Sequence, residues 1–495
     1  MKSLIRAAVL CLTFAVHATD GERQGGEKKA NGNENDIRNV FLSDIPDYSG
    51  NVILARPTGH SITANIMLNK TAKTRIIYGA DGKSEQQTDV FELKPGEARE
   101  IVLDNLPADA ACHYRLVDAG ANSIVSADCC SGTFHTCRPP DSNFTFTIQA
   151  DSHLDDYCLP ELYKLTLSNA IACKPDFHID LGDTFMTGKI ATRSDAAKQY
   201  LAQRYYFGLI GHSAPVFMTI GNHDGEEADK SGSCEADSLA VWACKQRKRY
   251  FSNPVPDKFY SGNAETQRYA GQLQDYYAWE WGNALFVVLD PYWYSRSNKG
   301  GSAPWNMTLG KPQYDWLAQT LRNSHAAFKF LFIHQLVGGA DKGGRGGTEA
   351  VPLFEWGGHE KDGRDTFAAN RPGWEKPIHN LLVETGVSAV FHGHDHFFAY
   401  QKRDGIIYQL VPQPAHRNFR NHQAEAYGYL DGIFLPNSGF LSVTVTPNLT
   451  TVTYVRSASP SMTKDGVSNA RHEYFYTFGT STTTLISAET PVSSR

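Results

Sequence analysis

Residues 144–153 read Phe144-Thr-Phe-Thr-Ile-Gln-Ala-Asp151-Ser-His153, and the way this stretch ends decides the fold. A run of this length, apolar at alternate and adjacent positions, suits a buried strand. It stops on a carboxylate and an imidazole two residues apart, a spacing that puts both side chains on one side of an extended segment. The same pattern recurs downstream. Asp176-Phe-His-Ile-Asp-Leu ends at Gly182-Asp183, and Val216-Phe-Met-Thr-Ile ends at Gly221-Asn222-His223-Asp224. Phe328-Lys-Phe-Leu-Phe-Ile ends at His334, and Val387-Ser-Ala-Val-Phe ends at His392-Gly393-His394-Asp395-His396. Helical stretches separate these runs, so residues 141–433 read as an α/β domain. In open α/β sheets the loops leaving the strand carboxyl ends form the ligand crevice. Five strands therefore deliver Asp, Asn and His to one rim. A lone Gly-Asp is a common turn, and His178, mid-strand beside Asp180, reads as structural. Five such endings in one domain argue against coincidence as the source of the pattern.

Carboxylate oxygen and imidazole nitrogen together suit borderline and hard divalent or trivalent ions. Glycine before Asp183, Asn222 and His394 lets the backbone turn sharply at each. The series Asp151-x-His153, Gly-Asp183, Gly-Asn222-His223-Asp224, His334 and Gly-His394-x-His396 resembles the calcineurin-like metallophosphoesterase superfamily across residues 144–415. That resemblance implies an α/β sandwich carrying two metal ions. One ion would be held by Asp151, His153, Asp183 and His396, the other by Asp183, Asn222, His334 and His394, with Asp183 bridging. A hydroxide between the two ions would attack phosphorus. His223 would contact the phosphate and protonate the leaving alkoxide. Asp224 would orient His223 or cap a following helix.

Outward from this core, residues 49–140 alternate as short half-buried strands, among them Ser61-Ile-Thr-Ala-Asn-Ile-Met-Leu and Thr74-Arg-Ile-Ile-Tyr, and read as a fibronectin-III-like β-sandwich. Residues 434–480 return to β character, and 481–495 form a Ser/Thr-rich tail. A sandwich before the α/β domain and a β region after it resemble the layout of purple acid phosphatases. The sequence departs from that group at His153, where they carry glycine, and at Met186, where they carry a tyrosine ligand. The departures predict no iron–tyrosinate colour and leave Fe, Mn and Zn open. No Arg closely follows Asp183, which sets the chain apart from Ser/Thr protein phosphatases.

At the amino end, Lys2 and Arg6 precede an apolar stretch and the small-x-small-like site Val16-His17-Ala18, the pattern of a secretory signal peptide over 1–18. A polar leader follows over 19–48. The expected location is secreted or periplasmic, with no integral membrane segment in the mature chain. Eight cysteines remain after such cleavage, an even number that suggests disulfides in an exported chain. Cys158 and Cys173 flank a predicted helix over 159–171, which would hold them about 22 Å apart along its axis, so they should not pair, whereas Cys234 and Cys244 are close enough in sequence to close a loop. Asn69, Asn143, Asn306 and Asn448 begin glycosylation sequons. A net charge of −6 gives no support for nucleic acid as a partner. Tyr276, Tyr277, Trp279, Trp281, Tyr292, Trp293 and Tyr294 line the pocket or pack the core. Residues 338–347, glycine-rich, read as a mobile loop in which Lys342 or Arg345 could meet a phosphate. The expected activity is hydrolysis of a small phosphate ester, a monoester first and a diester as the alternative. A non-catalytic extracellular binding protein is the competing class, and the complete set of metal ligands argues against it.

Overall fold

The computed structural model describes residues 45–125, 130–227, 235–296, 304–464 and 466–480. The expected signal peptide, the leader up to residue 44 and the tail from residue 481 lie outside the described residues.

The amino-terminal strands make two facing antiparallel sheets. Gly50–Ala55, Ile62–Leu68 and Arg99–Leu103 form one. Gln86–Gln87, Ala72–Ala80, Ala111–Asp118 and Ser131–His135 form the other, with Phe91–Leu93 paired to the side. Val52, Leu54, Ile62, Ile66, Leu103 and Leu116 fill the space between them. The period of two sends alternate residues to the opposite face, and here that face is buried as well. Ile53 and Met67 pack against Phe207, Val216 and Phe251 of the following α/β unit. That is why Gly50–Ala55 and Ile62–Leu68 are buried along their whole length.

Two larger sheets build the α/β unit. In the first, the order is Val216–Met218, Phe177–Asp180, Phe144–Gln149, Gly439–Val445, Leu449–Arg456 and Arg471–Gly479. Its first three strands are parallel and its last three antiparallel. The carboxyl-terminal β region thus extends the sheet that starts at Phe144. In the second sheet, Ala284–Val288, Phe328–Ile333, Ala389–His392 and Ile406–Leu410 run parallel, with antiparallel strands outside them. The sheets face each other across a phenylalanine-rich core that includes Phe146, Phe177, Phe286, Phe330, Phe332 and Phe391. Each fully buried ring contributes about 2–3 kcal/mol.

Helices cover the outer faces. Pro160–Ala172 starts with proline in its first turn, where a missing N–H costs nothing. Arg193–Gly211 is capped by Thr192, whose hydroxyl accepts from the Asp195 N–H at 3.1 Å. This second helix lies between the first sheet and the sandwich. Asn51 Nδ2 donates to Arg204 O at 2.8 Å, and Arg204 donates to Asn65 Oδ1 at 2.7 Å and Asn65 O at 2.9 Å.

The disulfide expectation is not met. No disulfide joins cysteines among the described residues, and Cys112, Cys137, Cys158, Cys173 and Cys244 are thiols. Cys129 and Cys234 lie outside the described residues. Cys112, Cys158 and Cys244 are instead small buried apolar groups. No described helix is long and apolar enough to cross a membrane.

Candidate metal centre

All five strand endings meet at the edge where the two facing sheets share their carboxyl ends. Asp151, Asp183 and Asn222 come from the first sheet, and His334, His394 and His396 from the second. The backbone is forced into unusual shapes there. Asp151, Asp183, His394 and His396 have φ of 55°, 52°, 77° and 64°, a region non-glycine residues rarely occupy and which clusters at functional sites. Gly182 makes a turn with φ of 88°, whereas Gly221 and Gly393 serve closeness. A Cβ on Gly221 would lie 2.0 Å from Asp183 N, and one on Gly393 would lie 2.6 Å from Asp151 Oδ2. Bare backbone at these positions lets the loops from different strands touch.

The expected residues come together in two groups that share Asp183. Ligand atoms of Asp151, His153, Asp183 and His396 lie within 4.8 Å of one another, as do those of Asp183, His334 and His394. Asn222 joins the second group, its Oδ1 3.1 Å from His334 Nε2. His153 Nε2 is 3.4 Å from Asp183 Oδ2, His334 Nε2 is 3.4 Å from the same oxygen, and His396 Nε2 is 3.3 Å from Asp151 Oδ1. Asp151 Oδ1, Asp183 Oδ2 and His153 Nε2 are buried and have no hydrogen-bond partner. Buried polar atoms are almost always paired. Three orphans converging on one spot, two of them carboxylate oxygens, fit a cation there.

Electrostatics point the same way. Burial works against ionisation of Asp183, but His223, His334 and His153 overcome it and hold its carboxyl well below the usual range. Burial likewise depresses His334, and Asp183 and Asp151 outweigh it, lifting the imidazole to about 9. His223 behaves differently: burial dominates over the opposing Asp183 carboxylate and pushes it down to about 3. A half-buried, neutral imidazole therefore sits at the edge of the centre, its Nε2 3.7 Å from Asp183 Oδ2. It borders a cavity of 480 Å³ together with Asn222, Tyr292 and Met307.

Residues 144–398, more than half the chain, match the family described as calcineurin-like phosphoesterase. The chain belongs to that family. It is a metal-dependent hydrolase of phosphoric esters. No curated protein sequence matches it. Among solved structures, the phosphoesterase is similar to PhoD, with a TM-score of 0.61 at 15% identity over 90% of this chain and 94% of that one. It is also similar to purple acid phosphatase PPD1 from seeds of yellow lupin (Lupinus luteus), with a TM-score of 0.57 at 12% identity over 86% and 74% of the two chains. At these identities the likeness is one of fold.

Three expectations about the phosphoesterase can be set against the structure. Among the described residues the hydrogen bonds of the Asp224 carboxylate go to backbone N–H groups rather than to His223, and the next described helix begins only at Leu239. The Asp224 carboxylate accepts N–H bonds from Phe185 at 2.7 Å, Gly221 at 2.7 Å and Asp183 at 3.2 Å. It fastens the Asp183 loop to the Asn222 loop, because both leave backbone N–H groups without strand partners. Residues 338–347 are hydrogen-bonded rather than loose: Asp341 Oδ1 accepts from the N–H groups of Gly343 and Arg345 at 2.8 and 2.9 Å. Arg345 stacks over Tyr427 at 4.4 Å and pairs with Asp341 at 3.5 Å. Of the seven aromatic residues, Tyr277, Trp279 and Trp281 belong to the core between the sheets, and only Tyr292 borders the cavity.

Sequence reasoning missed the residues behind the site. Asp155 Oδ2 lies 3.4 Å from His153 Nδ1. Gly343 O accepts from His394 Nε2 at 2.8 Å, and Leu181 O accepts from His334 Nδ1 at 2.8 Å. Each partner engages one ring nitrogen and leaves the other for a metal, the usual outer arrangement of metal-binding histidines. The two-residue step from His153 to Asp155 was a readable signal. The two carbonyls had none.

Proposed function

We propose that this phosphoesterase acts outside the cytoplasm as a two-metal phosphomonoesterase. The first ion is held by Asp151, His153, Asp183 and His396, and the second by Asp183, Asn222, His334 and His394. The convergence of the unpaired Asp151 Oδ1, Asp183 Oδ2 and His153 Nε2 carries this reading. Two ions held there would supply positive charge for the phosphoryl oxygens and acidify a water. The chain itself supplies position and hydrogen bonds. Asp155, Leu181 O and Gly343 O fix the three imidazoles before substrate arrives. His223, kept neutral by burial, donates a hydrogen bond to the phosphate and to the leaving oxygen as its bond to phosphorus breaks. Asp224 keeps Asp183 and His223 in register by tying their loops. The cavity beside His223 would take the single organic substituent of a monoester. The signal-peptide pattern at residues 1–18 supports export.

The test is to strip the purified protein of metal, restore Mn, Zn or Fe singly and in pairs, and compare an aryl phosphate monoester with the matching diester. Metal-dependent turnover of the monoester with the higher kcat/KM is expected. A preference for the diester would make the enzyme a phosphodiesterase. Turnover of neither ester under any metal would rule out the catalytic reading.

A further inference from the structure

The cavity bordered by Asn222 and His223 is also lined by Tyr292, Met307 and two lysines, Lys189 and Lys342. Its volume of 480 Å³ lies within the usual range for small-molecule sites, about 300–1,000 Å³. Both lysines stand on turns that are fastened to the metal centre. Lys189 N–H donates to Met186 O at 3.0 Å, and the neighbouring Gly188 N–H donates to His223 O at 2.9 Å. That fixes the Lys189 backbone beside His223. Lys342 sits at the tip of the turn that Asp341 closes, and the next residue, Gly343, accepts from His394. Neither lysine therefore reaches the cavity by chance motion of a loose segment.

Neither ammonium is held by an ion pair or a side-chain hydrogen bond among the described residues, and Lys189 lies close enough to His223 to act on it electrostatically. The other cation of the Lys342 turn, Arg345, is held by Asp341 and Tyr427. Glu227 also borders the cavity, and its carboxylate offsets one of the two ammonium charges. The cavity thus carries a net positive charge beside His223. A neutral leaving group would leave it idle, while an anionic one would gain charge-assisted hydrogen bonds. Met307 and Leu239, which also line the cavity, suit contact with a short carbon skeleton.

We infer that Lys189 and Lys342 form a second anion subsite, and that the substrate is a phosphate ester whose leaving group carries an anionic group of its own, a carboxylate or a second phosphate. The inference rests on the phosphomonoesterase reading and names its substrate class.

The metal-loaded enzyme is assayed with phenyl phosphate, its meta-carboxylated analogue and its meta-phosphorylated analogue. At least one charged probe should exceed phenyl phosphate in kcat/KM by about tenfold or more, the effect of one charge-assisted hydrogen bond. Which of the two responds tells carboxylate from phosphate. In the Lys189→Gln/Lys342→Gln double variant that ratio should fall to within about twofold of unity, while Lys189→Arg/Lys342→Arg should keep most of it. Equal kcat/KM for all three probes, or a preference that survives in the Gln double variant, would overturn the subsite and leave the phosphoesterase reading standing. Failure to hydrolyse any probe with any metal would strike that reading itself, and the subsite with it.

Discussion

Asp155 stands two residues beyond His153 and on the same side of the chain, its Oδ2 3.4 Å from the ring nitrogen that faces away from the centre. Removing such a partner costs roughly 10–100-fold in metal affinity. Asp155→Ala should therefore weaken binding at the Asp151 side by that factor, read by titrating the stripped protein with Mn or Zn. His223 makes the opposite prediction. As a donor to substrate rather than a ligand, its replacement in His223→Asn should lower kcat by about 10²–10³ while metal content stays at the wild-type level. A loss of metal in that variant would move His223 into the ligand set. At this scale the sequence was most legible where a residue type has one plausible job. Asp151, His153, Asp183, His334, His394 and His396 were readable because acid and imidazole at strand ends share one chemistry. Asp224 was not, because a carboxylate that accepts three backbone N–H bonds looks the same in sequence as one that orients a histidine.

Strands and helices carry the site, and two buried groups within them show how firmly. His178 lies inside the strand Phe177–Asp180, its Nδ1 2.8 Å from the Thr147 hydroxyl and its ring without exposure. Burial pushes its pKa down to about 3, against about 6.5 in an unfolded chain. The folded form thus resists the proton that the unfolded form accepts. Stability from this source is complete above about pH 6.5 and declines as the pH falls toward 3, by about 1.4 kcal/mol per unit. His178→Gln should flatten that slope by the same amount between pH 6 and 4, measured as urea midpoints of the metal-free proteins. An unchanged slope would mean that His178 has the same protonation state in the folded and unfolded forms. Arg204 is the second case. It is fully buried in the helix Arg193–Gly211 and bonds to Asn65 of the sandwich. Arg204→Leu would leave buried acceptors unpaired and should cost about 3 kcal/mol, read as a fall in the denaturation midpoint. The sequence pattern announced the helix and the strand. It did not announce the latch, because a long-range partner 139 residues away leaves no local trace.

On the scale of the whole molecule, the centre exists because two sheets present their carboxyl ends to the same edge. Neither sheet alone brings all the candidate ligands: the first brings Asp151, His153, Asp183 and Asn222, and the second brings His334, His394 and His396. The alternating strand–helix order and the apolar runs made an α/β unit legible, and the motif order made its family legible. The pairing of Gly439–Val445 with Phe144–Gln149 was not legible, since a strand nearly 300 residues downstream can join either sheet by its pattern alone. The double burial of the sandwich strands was hidden for the same reason, because alternation predicts one buried face and the second came from the docked helix. The sandwich, the helix and the first sheet form one continuous packed body behind the centre, so the loops bearing the ligands rest on rigid support.

The central claim is that this body holds two ions on either side of Asp183. The most direct test is the metal stoichiometry of the stripped protein, titrated with Mn and read by mass spectrometry of the intact native chain, beside Asp183→Asn. The account predicts two ions per wild-type chain and fewer than two in the variant, with hydrolysis of the aryl monoester abolished. A wild-type chain that binds one ion or none at saturation, or an Asp183→Asn chain that binds two and turns over normally, would contradict it.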